Sequence, residues 1–129
     1  MIFSKRGLSL DNGASWLLPR LIGMARAKEV ALFGDMWSAE EGLAIGLVNR
    51  VLPVDQIDAF VADWARRLSD GPPLALSMTK SLLHASSNAS MEQAVEDEAR
   101  CQALNFSSKD TAEAMAAFSE KREPVFIGR

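Results

Sequence analysis

The sequence contains too little cysteine and histidine for a covalent or metal-bound scaffold. Cys101 and His84 are the one cysteine and the one histidine among 129 residues. A single cysteine cannot form an internal disulfide, and one cysteine with one histidine cannot supply the four ligands of a structural zinc site. A disulfide-rich fold and a Cys/His zinc site are therefore excluded, and we expect no metal.

Long apolar runs and an excess of basic charge are also missing. The longest apolar stretches, residues 30–33 and 43–48, are far shorter than the roughly 20 residues of a transmembrane helix, and no basic-then-apolar leader opens the chain. Fourteen Lys and Arg residues against 17 Asp and Glu residues give a formal net charge of -3, whereas binding to a phosphate backbone normally needs a basic excess. We therefore expect a cytoplasmic protein that binds neither membranes nor nucleic acid.

What is present is the pattern of a mostly α-helical chain with a few short strands. Apolar spacing, capping residues and Gly or Pro breakers predict helices near residues 14–22, 24–33, 38–45, 55–68, 74–84, 91–105 and 110–122. Short extended segments are predicted within residues 1–10 and at 47–52. A stable sheet needs roughly three or more paired strands, so these segments suggest a piece of a larger fold.

The helix over residues 55–68 has the clearest amphipathic pattern. Its apolar residues follow an i, i+3, i+4, i+7, i+11 series, which predicts one buried face. The helix ends at Gly71-Pro72-Pro73, a strong break in helical structure. We place a domain boundary there, between a mixed region, residues 1–70, and an all-helical region, residues 71–129.

Among single residues, Asp11 has the most catalytic character. It follows the apolar residues Leu8 and Leu10 and precedes the helix predicted to begin at Ala14. A carboxylate in this position can transfer a proton, but it can equally serve as an N-cap of the helix. The residues alone leave both interpretations open.

Three other features have plain structural explanations beside functional ones. His84 lies at a predicted helix end, where it can complement the helix dipole or act as an acid or base. Cys101 is typical of a small packing residue. Lys121 and Arg122 can hold a phosphate or simply form a solvated helix end.

Several sequence blocks, taken in order, resemble the enoyl-CoA hydratase/isomerase (crotonase) family. They are residues 7–23 (GLSLDNGASWLLPRLIG), 38–42 (SAEEG), 46–51 (GLVNRV) and 118–129 (FSEKREPVFIGR). The resemblance implies the C-terminal part of a crotonase-type α/β fold without the N-terminal spiral of ββα units. Residues 1–70 would then be the end of the crotonase core, and residues 71–129 a helical oligomerisation region.

The resemblance also implies site residues. Hydratases of the family have a glutamate four residues before the glycine matched by Gly7, and that register falls on Phe3, which cannot transfer a proton. Isomerase-type relatives use an aspartate at the place matched by Asp11, so an isomerase-like member is implied. By the same resemblance, Trp16 and Leu17 would line the acyl pocket. The remaining implied substrate-binding residues are Phe118, near the acyl or pantetheine path, and Lys121, near the CoA phosphates.

The activity implied by the resemblance is double-bond isomerisation in an acyl-CoA, with a proton carried by one carboxylate. Coenzyme A would enter as part of the thioester substrate, without another cofactor. The partners implied are the acyl-CoA, a homo-oligomer (trimer or hexamer) or a missing N-terminal half. Because that half would supply the oxyanion hole, the chain alone would be a poor catalyst. The alternative is an inactive helical oligomerisation module derived from the family.

Overall fold

The computed structural model describes residues 2–129, and every regular element in that range is helical. A 3-10 turn, Ser4–Arg6, precedes the α-helices. Their bounds are α1 Ala14–Ile22, α2 Met24–Phe33, α3 Ala39–Ala44, α4 Val54–Ser69, α5 Pro73–Ser86, α6 Met91–Phe106 and α7 Lys109–Glu120. Met1, which opened the first predicted extended segment, lies outside the described residues.

The prediction of a few short strands is wrong for the described residues. Near the start, the backbone N–H groups of Arg6 and Leu8 donate to the carbonyl of Phe3 at 2.9 and 3.0 Å, which closes a turn. After α3, the N–H of Leu47 donates to the carbonyl of Gly42 at 2.8 Å. These backbone groups are hydrogen-bonded within local turns and not to a neighbouring strand. Residues with high β-propensity therefore did not by themselves produce a sheet.

The chain divides into two compact units, Met1–Gln56 and Ile57–Arg129, with the division inside α4. The predicted roles of residues 1–70 and 71–129 stay predictions. In the first unit, α1 packs on α2, and α2 contacts the 3-10 turn. The buried core of this unit consists of Leu18, Ile22, Ala27 and Val30, with Ala14, Trp37, Ile45 and Leu47 packed around it.

Local sequence explains the ends of these first helices. Gly23 lies between α1 and α2 with φ 78°, and Gly34 follows α2 with φ 62°, two conformations that favour glycine. Pro19 lies inside α1, which nevertheless runs unbroken as a helix. The predicted capping box at α3 is confirmed, because Ser38 accepts from the N–H of Glu41 while the Glu41 side chain accepts from the N–H of Ser38.

In the second unit α5 packs on α6, and α6 contacts α7. Helix α4 is present where the sequence predicts it, but its apolar stripe is not buried by the described residues. The exposed fractions of Ile57, Val61, Trp64 and Leu68 lie between 36% and 61%. Phe60 is half-buried against Trp64, with ring centroids 4.8 Å apart. The period of the helix was predictable, whereas the burial of its face was not.

The C-terminal segment, residues 122–129, is bound to the first turns of α7. Asp110, only 3% exposed, accepts from the backbone N–H of Ile127 at 2.7 Å and of Gly128 at 2.9 Å. The backbone N–H of Lys109 donates to the carbonyl of Arg129 at 2.7 Å. The N-cap of α7 is Ser108, not Asp110. The carboxylate of Asp110 instead binds main-chain donors of the C-terminal segment.

Glu113 provides a second attachment of this segment, and it makes stability depend on pH. The Arg122 guanidinium, at 2.9 Å, and the N–H of Val125, also at 2.9 Å, lower the pKa of Glu113 from 4.5 to about 2. A lowered folded pKa adds stability above about pH 4.5, and that stability is lost as the pH falls towards 2. We therefore expect the difference in Tm between wild type and Glu113→Gln to shrink over this range.

Circular dichroism melts at a series of pH values measure this difference. Arg122→Met removes the main cause of the lowered pKa, so its Tm should approach that of wild type over the same pH range. A Tm difference for Glu113→Gln that stays constant from pH 5 down to pH 2 would contradict the assignment.

Candidate functional site

Asp11 lies at the entrance to α1, in a turn with an unusual backbone. Asn12 has φ 50° and Gly13 has φ 74°, both in the left-handed region. Gly13 is the N-cap of α1, and no side chain caps it. The main-chain carbonyl of Asp11 accepts from the N–H of Ala14 at 2.9 Å. The carboxylate of Asp11 therefore does not serve as the helix cap.

The Asp11 carboxylate is exposed and has one hydrogen-bond donor. The side-chain amide Nδ2 of Asn12 donates to Oδ1 of Asp11 at 3.0 Å. Within residues 2–129 Asp11 makes no ion pair. An ionised carboxylate has about four acceptor positions, so lone pairs of Asp11 stay available to accept a proton.

An open, mainly apolar cavity of about 480 Å³ lies directly beside this turn. It is formed by α1, α2 and the loops that follow α2 and α3. The residues that line it are Asn12, Ala14, Leu17, Leu18, Leu21, Val30, Asp35, Met36, Trp37 and Leu47. An apolar pocket of this size with a few polar groups at its edge is typical of a small-molecule site.

Asp11 itself is not one of the lining residues; the carboxylate that lines this cavity is Asp35, which also differs from Asp11 in its partner. Its Oδ1 lies 2.8 Å from Nζ of Lys5, and both side chains are largely exposed. The ammonium group neutralises Asp35, whereas Asp11 has only a neutral amide as partner. Of the two carboxylates, Asp11 is therefore the one without a cation beside it among the described residues.

The structure brings only one of the two predicted acyl-pocket residues to the cavity. Leu17 lines it, but Trp16 is not among the lining residues. The Arg20 guanidinium instead lies 3.9 Å from the centre of the Trp16 ring, and its Nη1 donates to the Trp16 carbonyl at 3.0 Å. This cation–π contact holds the indole outside the cavity wall.

Phe118 and Lys121 belong to the second compact unit. Phe118 is strongly exposed, and Lys121 is the C-cap of α7 in a left-handed conformation with φ 55°. Its N–H donates to the carbonyl of Phe118 at 3.3 Å. Contacts of these residues with a substrate stay a prediction.

Apart from Leu17, sequence reasoning did not identify the residues that line the cavity, among them Asn12, Asp35, Met36 and Trp37. The turn of α2 into the following loop brings Asp35, Met36 and Trp37 to α1. For Asn12 alone there was a signal in the sequence, since an amide next to a candidate base can donate to it.

Two further properties concern the described part of the chain. Among residues 2–129, no three His, Cys, Asp or Glu side chains gather where they could hold a metal ion. Within the same residues, no helix combines the length and the apolar character that a membrane crossing requires.

A family model described as enoyl-CoA hydratase/isomerase matches residues 1–129. The chain belongs to this family. A relative within it, the 1,2-epoxyphenylacetyl-CoA isomerase of Escherichia coli (strain K12), is 34% identical over 129 residues, covering 100% of this chain and 49% of its own length. A protein of Rhodobacter capsulatus named "Probable enoyl-CoA hydratase" is 37% identical over 127 residues, 98% of this chain and 49% of the relative.

A solved structure of the enoyl-CoA hydratase/isomerase family agrees with this assignment. The enoyl-CoA hydratase of Mycobacterium marinum superposes with a TM-score of 0.90 at 34% identity, covering 100% of this chain and 51% of the other. The helices of this chain therefore belong to a crotonase-type fold. The chain spans about half the length of the relatives it matches.

Proposed function

We propose that the chain supplies the proton-transfer part of an acyl-CoA site and that the reaction is double-bond isomerisation. The observation that carries this proposal is Asp11 itself, an exposed carboxylate with no ion pair among the described residues, which accepts a hydrogen bond from Asn12, a residue in the wall of an apolar cavity. The family model covers the whole chain, residues 1–129. We therefore propose an enoyl thioester as the substrate.

In the proposed reaction Asp11 carries one proton between two carbons. Its carboxylate takes the proton from C2 of a 3-enoyl thioester, and the electron pair of the C–H bond moves towards the thioester oxygen to give a dienolate. The resulting carboxylic acid returns the proton to C4, which leaves the double bond between C2 and C3. The substrate brings its own coenzyme A, and the step uses no further cofactor.

Isomerisation is favoured over hydration by the residue at the other family position. Hydration is usually arranged with two groups that hold and activate water. Phe3 occupies the register of the second acid, and its half-buried phenyl group cannot take part in proton transfer.

The dienolate oxygen needs preorganised N–H donors. We propose that these donors come from outside residues 1–129 and that this chain corresponds to the second half of the family fold. The proposal therefore requires the two halves together for full activity.

Ultraviolet absorbance of the conjugated enoyl thioester tests the reaction. We expect the native polypeptide that carries residues 1–129 to raise this absorbance when it is given a 3-enoyl-CoA, because isomerisation creates the conjugation. Loss of absorbance from a 2-enoyl-CoA, with no gain from the 3-enoyl-CoA, would indicate hydration instead. No change with either substrate would refute both reactions.

A second candidate function is an inactive oligomerisation module. The observation that favours it is the exposed apolar stripe of α4, which includes Val61 and Leu68. An apolar face of this kind marks a surface for association. This candidate predicts a trimer or hexamer in analytical ultracentrifugation together with no turnover, and Val61→Asp with Leu68→Asp would dissociate the oligomer.

A further inference from the structure

Asn12 is the residue that joins the candidate base to the cavity. Its side chain donates to Asp11 at 3.0 Å, and it also belongs to the cavity wall. No other described residue donates a side-chain hydrogen bond to Asp11. Among the described residues, this amide is therefore the side-chain donor that can limit the rotation of the Asp11 carboxylate.

The backbone of Asn12 limits which residues can do this. Its φ of 50° lies in the left-handed region, which asparagine, aspartate and glycine tolerate better than other residues. Of these three, glycine has no side chain and an ionised aspartate has no donor. Of the three, asparagine is the one that combines this conformation with a side-chain N–H group for the neighbouring carboxylate.

We propose that Asn12 is a positioning residue for Asp11, an inference that rests on the proposed function of Asp11. The amide holds Oδ1 and leaves Oδ2 as the oxygen that exchanges a proton with the substrate. A carboxylate held in one rotation reaches the reacting carbons in a productive geometry more often than one that rotates freely. The contribution of Asn12 therefore appears in the rate of the proton transfer and not in the binding of the thioester.

Two substitutions separate this role from a backbone role. Asn12→Gly keeps the left-handed turn and removes the amide, and we expect about a tenfold decrease in kcat with little change in KM. Asn12→Asp keeps the shape but places a second carboxylate beside Asp11, and we expect a similar or larger loss. Wild-type kcat in Asn12→Gly would overturn the proposal, since glycine preserves the backbone.

Nuclear magnetic resonance gives a readout that does not depend on turnover. The side-chain amide resonances of Asn12 should shift in Asp11→Ala and stay in place in Asp35→Asn, which alters the carboxylate that lines the cavity. Asn12 amide resonances that do not shift in Asp11→Ala would show that the Asn12–Asp11 hydrogen bond is absent in solution. Absence of turnover in the wild-type polypeptide would overturn the proposed reaction and with it the catalytic purpose of the contact, even where the resonance shift confirms the contact itself.

Discussion

Replacing Asp11 by asparagine is expected to lower kcat for double-bond migration by about 10²–10⁴-fold, the usual contribution of a positioned general base. The amide has nearly the shape of the carboxylate but cannot accept and return a proton at neutral pH. Because Asp11 is exposed and makes no cap bond to α1, the substitution should leave folding intact. The rise of enoyl thioester absorbance in the wild type and in the variant measures the effect.

Asp35→Asn is the matched control for this experiment. Asp35 lines the cavity beside the Asp11 turn and carries the same functional group, but it forms an exposed ion pair with Lys5 at 2.8 Å. Exposed ion pairs contribute little to stability, so the control should fold, and its loss of kcat should be much smaller than that of Asp11→Asn because Asp35 is not assigned the proton transfer. Equal activity of Asp11→Asn and wild type, or an equal loss in both variants, would refute the role assigned to Asp11.

The second large effect concerns stability. Asp110→Ala should lower the free energy of unfolding by about 3 kcal/mol, because it removes two hydrogen bonds to a buried charged acceptor and leaves the N–H groups of Ile127 and Gly128 without it. Urea denaturation measures the loss. Amide hydrogen exchange should show faster exchange at Ile127 and Gly128 in the variant.

Asp63→Ala is the control for Asp110→Ala. Asp63 forms an exposed ion pair with Arg66 at 2.7 Å, and its removal should cost less than about 1 kcal/mol. If Asp110→Ala destabilised the protein no more than Asp63→Ala and left both amides protected, the attachment of the C-terminal segment to α7 would not be what stabilises this unit.

Local signals predicted most of the helices. Glycines on both sides of residues 24–33 and the Ser38 capping box determine short-range hydrogen bonds, so the bounds of α2 and the start of α3 follow from nearby residues. The prediction of a strand at residues 47–52 was wrong because a β-strand needs a hydrogen-bonded neighbour, and residues 2–129 do not provide one there. Helix α7, predicted to begin near residue 110, begins at Lys109 with Ser108 as its cap, because Ser108 and Asp110 are both good capping residues.

The site was predictable only in part for a similar reason. Asp11 could be singled out by its residue type and its neighbours along the chain. The cavity depends on how α1 packs on α2 and on where the following loop places Met36 and Trp37, and neither is encoded in a local motif. Trp16 lies outside the cavity because the lining residues of α1 are spaced i, i+3, i+4 and i+7 from Ala14, and position 16 falls off that helix face, where its ring contacts Arg20.

The attachment of residues 122–129 to α7 has a consequence for sequence change. Asp110, Glu113 and Lys109 contact main-chain groups of this segment, while the side chains of Val125 and Ile127 stay exposed. Positions 125 and 127 should therefore tolerate many different side chains without loss of these hydrogen bonds. Proline is the exception, since an imino acid has no hydrogen to give to the carboxylates.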